Sequence, residues 1–69
     1  MSKDEIIYYL KKRGNIIGLS AAAGNENAKN ILKYYIMAYR CPGDPGSWAF
    51  LEMEIKKWRS DGEQTNHAL

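Results

Sequence analysis

Cys41-Pro42-Gly43-Asp44-Pro45-Gly46-Ser47, followed directly by Trp48, decides how this chain folds. A residue before proline is pushed out of the helical region, so Cys41 is the last residue of an incoming helix or lies just past it. Pro42-Gly43 fits the two central positions of a type II turn, which would place Gly43 at positive φ. Asp44-Pro45 reads as an N-cap and first helical residue: the aspartate accepts from exposed backbone donors, and a missing proline N–H costs nothing there. Ser47 is the alternative cap and would start the last helix about one turn later; we favour Asp44. The stretch ends one amphipathic helix, starts another and fixes the angle between them.

On its N-terminal side, residues 26–40 carry Ala28, Ile31, Leu32, Tyr35, Ala38 and Tyr39 at three- and four-residue steps, the signature of one apolar stripe. Lys29, Lys33 and Arg40 lie off that stripe. Tyr34, Ile36 and Met37 extend the apolar surface beyond one face, which predicts a central helix touched from two sides. On its C-terminal side, Trp48, Leu51, Ile55 and Trp58 form a stripe with Phe50 and Met53 on its flanks. Glu52 and Lys56 are spaced for a favourable i,i+4 pair, and Lys56, Lys57 and Arg59 put positive charge at the helix end. The remainder is polar and unpatterned, so the expected organisation is one helical domain over 1–60 and a disordered tail over 61–69.

Further toward the N-terminus, Ser2 and Glu5 form a capping box, and Asp4 and Glu5 suit the positive end of a helix. Ile6, Ile7, Tyr9 and Leu10 supply an apolar face. Lys11, Lys12 and Arg13 then sit where cations favour a helix C-terminus, and Gly14-Asn15 reads as a break with a new cap. The competing reading is one helix to Ala23, in which Gly14 and Gly18, four apart, allow close approach of a second helix. Gly24-Asn25 closes that segment and caps the next, which predicts a tight antiparallel connection.

Sixty-nine residues make one domain at most. Ordering them costs on the order of 100 kcal/mol of conformational entropy, which the burial open to so short a chain roughly cancels. Self-association is then an easy way to gain apolar burial. With 45% hydrophobic and 26% charged residues, the chain has the composition of a globular domain rather than a disordered one. A single cysteine excludes an internal disulfide and a multi-cysteine zinc site, and it suits a reducing cytoplasm. No apolar run approaches the ~20 residues of a membrane span. At a net charge of +2, basic residues matter only where they cluster.

They cluster at Lys11-Lys12-Arg13, which could hold phosphate with Asn15 hydrogen-bonding beside them and Tyr8 and Tyr34 stacking on a base. The alternative is a helix end matched to its dipole. Tyr35 and Tyr39 are assigned to the core stripe. Trp48 and Trp58 are expected as core or subunit-interface anchors, with Ile36 and Met37 completing an interface. His67 is the only histidine and lies in the tail, while Glu52 and Glu54 point to different helix faces. No phosphate-loop spacing occurs. No enzymatic constellation, metal site or cofactor is therefore expected.

The run Ser20-Ala21-Ala22-Ala23-Gly24-Asn25, with Ala28, Leu32 and Tyr35, resembles the helix-turn-helix of Sel1-like and tetratricopeptide repeats. It occurs once, so the resemblance implies an αα-hairpin and not a repeat array. With its late Cys-Pro-Gly-Asp-Pro-Gly and following tryptophan, the whole chain also looks like small bacteriophage and prophage accessory proteins. That resemblance implies a protein of the host cytoplasm acting by stoichiometric binding. The sequence thus predicts an all-α bundle of three or four short helices, self-associating and non-enzymatic. It would antagonise a host defence system by binding a host protein or sequestering a nucleotide-like ligand. A small nucleic-acid-binding regulator, with residues 26–40 as recognition helix, is the alternative, and a virion component the third.

Overall fold

The computed structural model describes residues 1–61 and holds three helices: α1 (Lys3–Ala22), α2 (Glu26–Arg40) and α3 (Pro45–Ser60). Among the described residues there is no strand. Past Asp61, the expected tail lies outside the described residues, as does His67.

α1 starts as its capping box dictates. Glu5 N–H donates to Ser2 Oγ at 3.1 Å, and Ser2 N–H donates back to Glu5 Oε1 at 2.8 Å. The bond from the Ser2 backbone, then that from its side chain, holds the Glu5 carboxyl below its ordinary value. The break expected at Gly14-Asn15 does not occur, because α1 runs through both glycines. Each glycine costs about 1 kcal/mol in a helix interior. Continuity lets Ile17 join Ile6 and Leu10 in the core, and full burial of an isoleucine is worth about 1.5–3 kcal/mol. Nor do the glycines mark a close helix contact: a Cβ added at Gly14 or Gly18 would meet nothing within 4 Å.

The α1–α2 connection follows its residues closely. Gly24 sits at φ 99°, the left-handed conformation that lets Asn25 N–H reach Ser20 O at 2.9 Å and Gly24 N–H reach Ala21 O at 3.0 Å. Asn25 Oδ1 then accepts from Ala28 N–H at 2.9 Å and caps α2.

At the second connection, Cys41 is the residue just past α2, and Asp44 N–H donates to Cys41 O at 3.0 Å. Gly43 is not in the left-handed region, so the turn is not the type II turn expected. Asp44 caps α3 with both oxygens, taking Gly46 N–H at 3.0 Å and the Ser47 hydroxyl at 2.9 Å. Ser47 is buried and supports the cap rather than replacing it. Trp48 Nε1 and Lys3 Nζ both donate to Pro42 O at 3.1 Å, which ties the turn to the start of α1.

α2 packs on both α1 and α3, as its two-sided apolar surface implied. The core takes Ile6, Leu10 and Ile17 from α1, Ala28, Ile31 and Ala38 from α2, and Leu51, Ile55 and Trp58 from α3. Lys3 Nζ lies 5.5 Å from the Trp48 ring centre, and the Arg59 guanidinium 5.4 Å from that of Tyr9. These pairs advance together along both helices, so α1 and α3 run the same way and α2 opposes them. Trp58 is fully buried, which makes it a core residue and removes it from any subunit interface. Its Nε1 and Asn27 Oδ1 are buried polar atoms with no hydrogen-bond partner among the described residues.

Candidate binding surface

Helix geometry splits the cationic cluster. Tyr8, Lys11, Lys12, Asn15 and Leu19 recur at three- and four-residue steps and are exposed, so they form one stripe along α1. Arg13 falls on the core-facing side of that stripe and is half-buried. Lys12 Nζ lies 5.7 Å from the Tyr8 ring centre, and this pair is internal to the stripe. Since α1 continues to Ala22, the three cations are mid-helix. Neither reading that put them at a helix end survives: no C-terminal dipole is matched there, and no helix N-terminus stands beside Arg13 to bind an anion.

Tyr34 does not join Tyr8. Its half-buried ring stacks on Phe50 of α3, with centroids 5.4 Å apart and planes at 21°, and Lys33 Nζ lies 5.4 Å from its centre. Within a single chain, the six residues expected to hold a ligand are therefore not gathered into one site. Trp48 is half-buried and engaged with Lys3 and Pro42, so it anchors the turn.

What the fold does gather is apolar. Ile36, Met37, Tyr39, Phe50 and Met53 are exposed, from 43% at Met37 to 76% at Tyr39. Tyr39 was expected in the core, but its position is 100° around the helix from Ala38, which takes the buried place. The exposed groups flank α2 on two sides. On the α3 side lie Met37, the Tyr34–Phe50 stack and Met53. On the other side Tyr35, Ile36, Tyr39 and Arg40 line a concavity of about 490 Å³. Sequence reasoning did not single out Phe50, Met53, Tyr39 and Arg40 as candidate surface residues. A usable signal was present: residues 34–39 are apolar at all six positions, more than one buried face can absorb.

Between these flanks α2 carries Lys33 and Arg40 and, after Glu26, no carboxylate. Among the described residues neither cation makes an ion pair. Two carboxylates of α3 are committed: Glu52 takes Lys56 Nζ and the Met1 amino group, each at 3.0 Å, and those partners, Lys56 first, hold its carboxyl below the ordinary value. Glu54 accepts from Asn27 Nδ2 at 2.9 Å and pairs with Lys57 at 3.4 Å. Among the described residues no group of three His, Cys, Asp or Glu side chains is placed to hold a metal ion, and no helix is long and apolar enough to cross a membrane. No protein-family model, curated protein or solved structure matches the chain.

Proposed function

We propose that this is a non-enzymatic binding protein that docks on another protein through the α2–α3 flank formed by Met37, Tyr34, Phe50 and Met53. The observation that carries this reading is the exposure of Met37, Phe50 and Met53 on one side of a body whose core is already closed by other residues. Exposed clusters of large apolar groups mark interaction surfaces, and methionine and aromatic residues are enriched in them. The partner offers an apolar surface with an acidic rim, because the nearby cations Lys33 and Arg40 make no ion pair among the described residues. A second copy laid on the same face would bring those cations toward their own counterparts. In line with the resemblance to phage accessory proteins, the partner would be a host protein and the outcome antagonism of a host system.

Two features argue against the nucleic-acid reading. The exposed face of α2 is largely apolar at Ile36, Met37 and Tyr39, chemistry poorly suited to a DNA groove, and Asn27 donates to the Glu54 carbonyl and carboxylate. The test is co-purification of the tagged chain from its native cells, beside a Phe50→Ser/Met53→Ser variant of unchanged helix content. A stoichiometric protein, retained at high salt and lost with the variant, is the expected result. Three results overturn the reading: retention of the same partner by the variant, co-purification of nucleic acid released by moderate salt, or sedimentation as a multimer of the 7.9 kDa chain that the variant returns to monomer.

A further inference from the structure

The opposite flank of α2 carries chemistry that docking through Phe50 and Met53 does not use. Tyr35, Ile36, Tyr39 and Arg40 line one open concavity of about 490 Å³ on the surface of α2. Its two rings have centroids 6.5 Å apart and planes tilted by 48°, an open wedge rather than a closed stack. Tyr35 is half-buried and packed against the core, which makes it a fixed wall, whereas Tyr39 is 76% exposed. Arg40 is exposed, and its guanidinium makes no ion pair or hydrogen bond with another side chain among the described residues.

We propose that this concavity is a binding site for a small planar anion with the chemistry of a nucleoside monophosphate. The flat base would lie against the tyrosine wedge over Ile36, and the phosphate would meet Arg40. Each half has a physical reason. An aromatic wall accepts the face of any base, and the planar guanidinium fork matches two phosphate oxygens. The charge is complementary because the second half of α2 contributes cations and no carboxylate. A cation in the last turn also complements the helix dipole, which would account for Arg40 alone. It does not account for two tyrosine rings beside it around a concave surface.

The test is a titration of the full chain with adenosine monophosphate, adenosine and inorganic phosphate, followed by backbone amide shifts in NMR. Saturable shifts confined to residues 35–41 are expected with the monophosphate. Adenosine and phosphate alone should each bind at least about tenfold more weakly, because each offers half of the ligand. Arg40→Gln should reduce monophosphate affinity to that of adenosine, Tyr39→Ala should weaken both ring-bearing ligands, and Phe50→Ser should change neither. Both site residues are exposed, so circular dichroism should show unchanged helix content. The proposal is overturned if the monophosphate gives no saturable shift at millimolar concentration. It is equally overturned if Arg40→Gln binds as the parent does, or if the shifts map to Tyr8, Lys11 and Lys12.

Discussion

The outer stripe of α1 and the second half of α2 make an instructive pair. On α1, five consecutive positions from Tyr9 to Arg13 are distributed in the ordinary way: Leu10 goes to the core, Lys11 and Lys12 to water. The charges look concentrated in sequence and are dispersed by a helix that never stops there. On α2, residues 34–39 look like core in sequence, yet only Ala38 is fully buried. Three helices have too few neighbours to cover that many large side chains. Adjacency in sequence therefore overstated the first region and understated the second. A run of charge is divided by the helical repeat; a run of apolar residues exceeds what one repeat can hide.

The largest expected effect tests where α2 and α3 stop being surface. Trp58→Ala should cost about 3–5 kcal/mol, most of the stability of so small a body, and thermal melts should show a chain unfolded or nearly so. Trp58→Phe should be much milder, since it also removes a buried donor that lacks a partner. A folded Trp58→Ala protein with altered association would return Trp58 to the interface.

The glycines sharpen the contrast between a continuous α1 and its true end. Gly24→Ala should destabilise by about 1–2 kcal/mol, because it forces a side chain into the left-handed region at φ 99°. Gly14→Ala and Gly18→Ala have open space and helical backbone, so each should stabilise by about 0.5–1 kcal/mol. A loss at Gly14 would restore the break that α1 lacks. Asp44→Ala should cost roughly 1 kcal/mol and Ser47→Ala less, since the aspartate makes two cap bonds and the serine one of them.

The smallest effect is with pH. Glu5 and Glu52 both titrate below their ordinary value of 4.5 when folded, so each stabilises the fold above that pH. The contribution is lost as pH falls from there through the lowered native values. Glu5→Gln should flatten the decline of stability below pH 4.5 slightly and leave neutral stability little changed. A steeper acid decline in the variant would contradict the capping-box origin.

Most of the fold was legible because its signals are local. Ser2 with Glu5, Gly24-Asn25 and Asp44-Pro45 each satisfy their own backbone donors or acceptors within a few residues, and the structure keeps all three. Gly14-Asn15 offers the same residue types as Gly24-Asn25, yet long-range burial of Ile17 outweighs them. No local pattern could reveal that. The candidate ligand residues were less legible for a related reason. Tyr34 could be placed beside Tyr8 only by knowing which neighbour it faces, and its neighbour is Phe50.

The most direct test of the account sets the two regions against each other in one experiment. Met37→Ser/Phe50→Ser and Lys11→Ala/Lys12→Ala variants of the tagged chain are purified from native cells beside the parent. The account predicts that the first loses its stoichiometric protein partner and the second keeps it. Retention by the first variant and loss by the second would contradict the account and move the binding surface to α1.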